Sequence, residues 1–578
     1  MPSHHYALGL DYGTNSVRAL VVDTATGEEV GTGVFEYPSG QAGILLDPAD
    51  ANLARQNPQD YLDGLEGAVR AALADAARAE GFDPARVVGI GVDTTGSTPI
   101  PVDAEGRPLA FDDRFADDLA AQVWLWKDHT GHAEAAEITA AAAERHPEYL
   151  ATCGGTYSSE WFWSKILRCA RVAPDVFEAA HTWVEHADWM PAVLTGTEHP
   201  DRLTRGICAA GHKAMFHERW GGYPDAGFLA SLDERLARVR QSLPDTTRTA
   251  AEAVGTLTDA WAERLGLPAG IPVATGAFDA HLGAVGSGIA PGTLVKIIGT
   301  STCDLMVAPL EDDFSEAPGL CGVVPESVVP GQYGLEAGQS AVGDIFNWFV
   351  GTIRPAGETH QSLTDKAERL APGESGLLAL DWHNGNRTVL VDQRLTGLVL
   401  GLTLHTTPAE MYRAFVEATA FGARVIMERY EEVGAAVERI VNCGGISAKN
   451  EMVMQIYADV MGRPVYISRS AQTCALGAAM AGAVVAGAEA GGHDTFPDAV
   501  DAMTGVRDVV FEPDADRAAV YDRLFGHYRR LHDAFGVAGS SGDLADVMKD
   551  LLDLRDAVRG EMADDRESHS VEAAAHDA

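Results

Sequence analysis

Two short turns in this sequence combine glycine with hydroxyl side chains, a combination that binds phosphate oxygens. Gly13-Thr-Asn-Ser16 comes two residues after Asp11, and Gly299-Thr-Ser-Thr302 repeats the Gly-Thr-x-Ser/Thr pattern in the second half of the chain. Backbone N–H groups and hydroxyls in such turns can surround anionic oxygens, and Asp11 could hold Mg²⁺ directly or through water. A single turn of this kind is equally well explained by an aspartate that accepts hydrogen bonds from turn amides. Because there are two, the pattern favours a polyphosphate bound from both sides.

A second kind of chemistry, proton transfer, is indicated by Asp279. This residue follows an apolar run at residues 271–275 that predicts a buried strand. The C-terminal ends of such strands are where α/β proteins bind ligands, and an aspartate there can accept a hydroxyl proton as a general base. His281, two residues later, could pair with Asp279 on a metal ion, although a histidine that packs in the core or caps a helix explains it more simply.

Four further segments carry groups that suit a polar organic ligand. Glu336 stands among small residues, where it could bind a sugar hydroxyl or cap an element. Trp126 lies next to charged residues and could form a sugar platform or a lid, with core packing expected for it or for Trp124. Lys213, one of only seven lysines, could contact an oxyanion or lie on the surface. Residues 441–450 predict a strand, a Gly-Gly turn and a helix, which together form a slot for a flat ring.

Hydrophobic patterning predicts the elements that position these residues. Strands are expected at residues 6–11, 17–22, 29–37 and 87–92, with a helix beginning at Pro58, and the second half repeats a strand–turn–strand unit at residues 294–307. We interpret this repeat as a duplicated β-hairpin in an α/β protein. The predicted domains are residues 1–267 and 268–537, followed by a linker, a helix and an acidic tail at 538–578. The helix has an apolar stripe, which suggests packing on the body or in a homodimer: Leu544, Val547, Leu551, Leu554 and Val558.

Composition excludes several classes of protein. The 578 residues include 84 acidic and 43 basic side chains, a net charge of −41, which disfavours nucleic-acid partners. Seven widely spaced cysteines, the lack of an 18-residue apolar run and a strand that begins by Tyr6 predict a cytoplasmic protein without a membrane span or signal peptide. There is no Walker A loop, zinc-protease motif or nucleophile elbow. The acidic surface reflects either adaptation to salt or codon bias, and the sequence leaves both open.

Taken in order, these segments resemble the FGGY family of carbohydrate kinases over about residues 6–535. Further matching motifs are Trp126-Lys-Asp-His129, Ser158-Ser-Glu-Trp161, residues 381–387, and residues 397–402 running on to Glu410 and Glu417. Phe415 stands where the family signature usually has a smaller residue. Within the family, the motifs are most similar to the subgroup that phosphorylates L-ribulose at O5 with ATP, in L-arabinose catabolism.

The resemblance implies two actin/hexokinase-like domains of the ribonuclease H type, with ATP, Mg²⁺ and a sugar meeting in the cleft between them. Asp279 matches the catalytic base, and Asp11 the aspartate linked to Mg²⁺. The positions that match sugar contacts are Gly96, Trp126, Lys213, Asp279 and Glu336. Those that match ATP contacts are Gly13, Thr14, Asn15, Gly299, Thr300, Gly343, Asn347, Gly444, Gly445 and Asn450, although relatives often carry Gln at position 347. Glycerol kinases use an Arg-Glu pair where this chain has Gly96-Ser97, which argues against glycerol.

Three alternatives stay open at this stage. Another FGGY substrate, such as D-ribulose or xylulose, would use the same phosphate motifs. An actin-like or chaperone-like ATPase would share the hairpins but would not need Trp126, Lys213, Asp279 and Glu336. A metal hydrolase would use Asp279 and His281 without ATP.

Overall fold

The computed structural model describes residues 4–312, 314, 317–540 and 542–545. Its strands are β1 (Tyr6–Tyr12), β2 (Ser16–Asp23), β3 (Glu29–Glu36), β4 (Leu45–Asp47), β5 (Asp50–Gln56), β6 (Val87–Thr94), β7 (Pro99–Val102), β8 (Val123–Trp124), β9 (Thr182–Glu185), β10 (Ala253–Thr256), β11 (Pro272–Ala274), β12 (Ala277–Phe278), β13 (Thr293–Ile298), β14 (Thr302–Pro309), β15 (Gly322–Pro325), β16 (Gln332–Ala337), β17 (Leu378–Leu380), β18 (Leu398–Leu400), β19 (Arg439–Cys443), β20 (Val465–Ser468) and β21 (Val506–Phe511). Its α-helices are α1 (Pro58–Ala76), α2 (His132–Arg145), α3 (Pro147–Ala151), α4 (Phe162–Val172), α5 (Pro174–Ala179), α6 (His186–Thr195), α7 (Ile207–Lys213), α8 (Ala226–Leu232), α9 (Leu236–Gln241), α10 (Asp259–Leu265), α11 (Asp279–Gly286), α12 (Gly343–Trp348), α13 (His360–Ala367), α14 (Pro408–Glu432), α15 (Glu451–Met461), α16 (Thr473–Ala486), α17 (Phe496–Met503) and α18 (Ala515–Gly536).

The first sheet has the strand order β10-β11-β6-β1-β2-β3, with β12 also paired to β6. Strands β1, β2 and β3 form an antiparallel meander, whereas β1, β6 and β11 run parallel. Helix α1 begins at Pro58, where the Asn57 side chain accepts a hydrogen bond from the backbone N–H of Gln59, and it buries its apolar face. Helix and sheet together form one hydrophobic core.

The second sheet repeats this plan with the order β15-β16-β14-β13-β19-β20-β21. Strand β13 is antiparallel to β14 and parallel to β19, as β1 is antiparallel to β2 and parallel to β6. The duplicated β-hairpin predicted from the two Gly-Thr turns is therefore confirmed, and each hairpin occupies the same place in its sheet.

Helices α11 and α16 pack against each other, and α16 also packs on β1 and β6 of the first sheet. The approach is close enough to require glycine. A Cβ on Gly91 would lie 1.8 Å from the carbonyl oxygen of Ala478, and one on Gly9 would lie 1.9 Å from that of Ala475. Small residues on both surfaces thus let two backbones touch at the junction of the two halves.

The chain between β8 and β10 is mostly helical. Its helices pack around a separate core of aromatic and aliphatic side chains. Trp124 belongs to this core, with 1% of its surface exposed, and its ring meets Trp183 edge to face. Trp126 is only half-buried. Core packing therefore holds for one tryptophan of the pair, as predicted.

The division at residue 267 stays a prediction. The chain passes from the first sheet to the second between Phe278 of β12 and Thr293 of β13.

None of the seven cysteines, all of which are described, forms a disulfide. Across the described ranges, no helix combines the length and apolar character needed to cross a bilayer. Of the predicted apolar stripe only Leu544 is described, so the expected terminal helix lies outside the described residues.

Candidate active site

A cavity of about 270 Å³ lies between the two hairpin turns at the junction of the sheets. The residues singled out from the sequence that line it include Thr14, Gly96, Trp126, Lys213, Asp279, His281, Gly299, Thr300 and Glu336. A larger adjoining cavity, of about 610 Å³, shares Trp126, Lys213, Thr300 and Glu336 with it. Residues from both halves of the chain therefore face one shared cleft.

Asp279 is the first residue of α11, and its position follows from the strand β12 that ends at Phe278. Its Oδ1 accepts a hydrogen bond of 2.7 Å from the backbone N–H of Ala280. Burial, followed by the nearby charge of Asp11, raises the pKa of the Asp279 carboxyl to about 7. A carboxylate with this pKa can take up a proton near neutral pH, as a general base requires.

Asp11 and Asp93 lie side by side on the parallel strands β1 and β6, and Asp279 is close enough to both to affect their charges. Asp93 is fully buried, and neither of its carboxylate oxygens has a hydrogen-bond partner among the described residues. Burial and then Asp11 raise the pKa of Asp93 well above its usual range. Arg18 offers partial compensation, with its Nη1 3.3 Å from Asp11 Oδ2.

These three carboxylates fit a divalent cation. An all-oxygen donor set suits Mg²⁺, and a cation would relieve the repulsion that raises the pKa values. The sequence reasoning identified Asp11 but missed Asp93, although its place at the end of the buried run at 87–92 could have indicated it.

Glu336 is held by one lysine and faces two histidines. Lys213 Nζ donates to Glu336 Oε1 at 2.9 Å and to Oε2 at 3.0 Å. His212 Nδ1 lies 3.2 Å and His281 Nε2 lies 3.5 Å from Glu336 Oε2. Although burial opposes it, Lys213 and the histidines hold the pKa of Glu336 well below its usual range, so the carboxylate is ionised. The sequence analysis did not identify His212. It did identify His281, which the structure places beside Glu336.

Lys213 also lies against an aromatic ring, with its Nζ 5.1 Å from the ring centre of Trp161. Burial opposes its charge, but Glu336 raises the pKa of Lys213 above its usual value. The pair therefore presents a fixed cation and a fixed anion to the cavity. Both partners were predicted, but not their pairing.

Two side chains that the sequence did not indicate hold the loops that carry Gly96 and Trp126. Lys165 Nζ donates to the carbonyl oxygen of Ser97 at 2.7 Å and to that of Leu125 at 2.8 Å. Glu185 accepts from the Ser97 hydroxyl at 2.6 Å and from the backbone N–H of Thr98 at 2.7 Å.

The first turn, at residues 13–16, is hydrogen-bonded to the Trp126 loop and also contains an internal hydrogen bond. Trp126 Nε1 donates to Thr14 Oγ1 at 3.0 Å, and the backbone N–H of Gly13 donates to the Ser16 carbonyl at 2.9 Å. The Asn15 side chain donates to the carbonyl oxygen of Ala42 at 2.7 Å, which holds this polar group against a neighbouring loop.

The second turn packs against the segments predicted to hold adenosine. The backbone N–H of Gly343 donates to the Gly299 carbonyl at 3.1 Å, and the N–H of Asp344 donates to the Thr300 carbonyl at 3.1 Å. A Cβ on Gly444, whose φ is 94°, would lie 2.4 Å from the carbonyl oxygen of Ile298. Gly343 and Gly444 thus adjoin the turn, although neither lines the cavity.

The remaining predicted positions lie farther along the same segments. Asn347 on α12 and Gly445 are exposed. Asn450 caps α15 by accepting a hydrogen bond from the backbone N–H of Val453, and its side-chain amide donates to Thr364 Oγ1 at 3.2 Å. Their role in nucleotide binding stays a prediction.

Arg387 is another lining residue that the sequence reasoning did not assign to the site. It borders both cavities, and its Nη2 donates to the carbonyl oxygen of Thr302. Its Nε has no hydrogen-bond partner among the described residues. It therefore adds a second positive charge near Lys213.

Comparison with known proteins agrees with this arrangement. The model of the FGGY family of carbohydrate kinases, N-terminal domain, matches residues 6–286, and that of the C-terminal domain matches residues 294–486. The chain belongs to the FGGY family of carbohydrate kinases.

Curated relatives match it over nearly their whole length. A protein named ribulokinase from Shouchella clausii is 42% identical over 571 residues, covering 96% of this chain and 99% of the relative. A ribulokinase from Mycolicibacterium smegmatis is 42% identical over 550 residues, covering 92% and 94%.

Solved structures share the fold at lower identity. A xylulose kinase from Rhodospirillum rubrum superposes with a TM-score of 0.73 at 24% identity, covering 92% of this chain and 99% of the other. A glycerol kinase from Plasmodium falciparum, solved with ADP, gives 0.72 at 15% identity, covering 91% and 98%. The predicted two-domain α/β kinase fold is confirmed.

Proposed function

We propose that this enzyme transfers the γ-phosphoryl group of ATP to O5 of L-ribulose, giving L-ribulose 5-phosphate and ADP. The observation that carries the proposal is the single cavity that joins Asp279, the two glycine–threonine turns and the Lys213–Glu336 pair. The names of the relatives at about 40% identity support the choice of sugar.

Asp279 is the proposed catalytic base. Its Oδ1 is fixed by the Ala280 N–H, so Oδ2 accepts the O5 proton while O5 bonds to the γ-phosphorus and ADP leaves. The turns at Thr14 and Thr300 supply N–H groups and hydroxyls on either side of the transferred group. Phosphoryl transfer depends mainly on such positioning and on charge stabilisation.

Mg²⁺, when bound, supplies positive charge to the phosphate oxygens. Asp11 would hold it, through water, and Asp93 and Asp279 line the same oxygen-rich corner. The three carboxylates raise one another's pKa values in the metal-free protein, and a bound divalent cation would stabilise their ionised forms.

The other end of the cavity recognises the sugar. Ionised Glu336 accepts hydrogen bonds from sugar hydroxyls, and Lys213 donates to sugar oxygens. Gly96 has open space beside its Cα, with nothing within 4 Å of a Cβ built there, which leaves room for the ligand. Trp126 covers the site from the side of the first turn.

The adenosine is proposed to lie beside the second turn, along Gly343, Asn347, Gly444, Gly445 and Asn450. Gly13, Asn15 and Gly299 complete the phosphate turns. The division into domains 1–267 and 268–537 places one turn in each, with the cleft between them. A cytoplasmic protein without nucleic-acid partners stays the expectation from composition, and the terminal apolar stripe suggests packing either on the body or in a homodimer.

The test is ADP release from MgATP with a panel of sugars and polyols. A rate with L-ribulose far above the rates with D-ribulose, D-xylulose and glycerol is expected. An equal or higher rate with another ketose would overturn the sugar assignment while leaving Asp279 and the ATP site in place. ATP turnover that no sugar stimulates would favour the ATPase alternative instead.

A further inference from the structure

Beside the sugar end of the cavity, three metal-binding side chains converge. His212 Nδ1, His281 Nε2 and a Glu336 carboxylate oxygen all lie within 4.8 Å of one another. The residues come from α7, α11 and β16 and are 1%, 2% and 6% exposed. Three separate elements therefore direct donor atoms at one buried point.

The hydrogen bonds of His212 leave a lone pair on the nitrogen that faces Glu336. The Ser327 hydroxyl donates to the carbonyl oxygen of Val324 at 3.0 Å and lies 2.9 Å from His212 Nε2. With that one hydrogen directed at Val324, Nε2 carries the imidazole proton and donates to Ser327. In the neutral ring, Nδ1 then turns its lone pair toward Glu336 Oε2, only 3.2 Å away.

When Nδ1 carries no proton, this contact contains no hydrogen, and a cation bound between the two atoms would stabilise it. His281 Nε2 lies 3.5 Å from the same carboxylate oxygen, and neither of its ring nitrogens has an assigned hydrogen bond in the described part of the chain. A buried polar atom without a partner is costly and calls for an occupant. A metal ion would take one donor atom from each of the three residues.

The spacing fits zinc. Zn–N and Zn–O bonds of about 2.0–2.1 Å in a tetrahedron put neighbouring ligand atoms about 3.3 Å apart. The observed separations from Glu336 Oε2 are 3.2 Å to His212 and 3.5 Å to His281. The bond from His212 Nε2 to Ser327 is the outer contact that orients a ligating imidazole.

We propose that His212, His281 and Glu336 form a Zn²⁺ site whose occupancy competes with the sugar. Imidazole donors favour zinc over Mg²⁺, so this site is chemically distinct from the all-oxygen corner at Asp11 and Asp93. Zinc and the sugar would compete because zinc would bind Oε2 of Glu336, the residue proposed to accept hydrogen bonds from the sugar. This part of the inference rests on the proposed function.

A fourth ligand would reach the ion from the cavity, which His281 and Glu336 both line. Water would fill it, or Cys208, which stands one helical turn before His212 and accepts from the backbone N–H of Phe278 at 3.5 Å. Lys213 bonds both oxygens of Glu336, so its positive charge weakens the site relative to a permanent structural zinc. We therefore expect zinc to bind reversibly, as an inhibitor would.

The first experiment measures metal binding directly on the full chain, without sugar or ATP. Equilibrium dialysis with Zn²⁺ should give one bound ion, and Co²⁺ should give the visible absorption of a tetrahedral site. His212→Gln and His281→Gln should each weaken binding by at least about tenfold. His186→Gln is the matched control, because His186 is equally buried, also lacks ring hydrogen bonds, and stacks on Tyr61 away from the cluster.

Zinc binding that is unchanged in both cluster variants would overturn the site. Loss of binding in the control as well would also count against it, because the effect would then be one of folding. A sulfur-to-cobalt charge-transfer band that Cys208→Ser removes would support the site and make Cys208 its fourth ligand.

The second experiment tests the competition. Zn²⁺ should raise the KM for L-ribulose and leave kcat at saturating sugar unchanged, and this inhibition should weaken in His212→Gln. Inhibition that competes with ATP instead would overturn the proposed competition. The two hypotheses fail separately: a sugar-stimulated kinase that binds no zinc refutes only the zinc site, and zinc binding without sugar-stimulated turnover refutes only the proposed function.

Discussion

The side-chain nitrogen of Lys165 lies 2.7 Å from the backbone carbonyl oxygen of Ser97. The same nitrogen donates to the carbonyl oxygen of Leu125, so one buried side chain ties together the loops of Gly96 and Trp126. These loops border the cavity from two sides. Lys165 touches no predicted substrate position itself and acts by positioning.

Lys165→Met should therefore raise the KM for sugar more than it lowers kcat. It should also lower the free energy of unfolding, because each buried carbonyl left without a donor costs about 1–3 kcal/mol. Steady-state kinetics and denaturant unfolding test the two effects. Lys366→Met is the control, since Lys366 is exposed and pairs with Glu358. A KM equal to that of the wild type would show that the loops hold their positions without Lys165.

Asp279→Asn should lower kcat by about 10²–10⁴, because the amide cannot accept the O5 proton. Sugar binding should fall much less, since Lys213 and Glu336 stay in place. Single-turnover kinetics and sugar-binding titration separate the two effects. Near-full turnover in the variant would mean that another group removes the proton.

The rate should depend on pH through Asp279. Its pKa is raised to about 7, chiefly by burial and then by Asp11. A base must be deprotonated, so kcat/KM should be full above this pKa and should fall about tenfold for each pH unit below the midpoint, which bound Mg²⁺ should place lower than in the metal-free protein. A pH–rate profile at saturating MgATP gives the midpoint. An acidic limb that stays flat down to pH 5 would contradict the assignment.

Asp93→Asn should separate metal binding from stability. Without metal, the variant should melt at a temperature no lower than that of the wild type, because a buried carboxyl whose ionised form is repelled by Asp11 is replaced by a neutral amide. The Mg²⁺ concentration needed for half-maximal activity should rise, because an anionic oxygen near the ion is lost. Thermal unfolding with and without Mg²⁺ and a Mg²⁺ titration of the rate provide the measurements. A lower melting temperature together with unchanged Mg²⁺ dependence would refute this role.

Much of the fold could be predicted from short stretches of sequence. The first strand was expected at residues 6–11 and is observed at Tyr6–Tyr12, and the helix expected from Pro58 is α1. Turn chemistry identified both hairpins. These features depend on neighbours within a few residues, and hydrophobic periodicity and glycine turns express them directly.

The composition of the cavity wall was harder to predict. Lys213 and Glu336 were each singled out, but they are 123 positions apart, and no local pattern showed that they bond to each other. Asp93, Lys165 and His212 were missed because no local pattern singled them out, and the groups that they meet at the site include residues distant in the sequence.

The sequence by itself thus determined the strands, the duplicated turns and the residue types available for catalysis. Only the tertiary structure decided which of these side chains share one cavity. Local elements form from contacts between near neighbours, whereas the cavity depends on how α11 and α16 pack between the sheets. That packing brings Asp11, Asp93 and Asp279 together, and their mutual repulsion exists only in the folded chain.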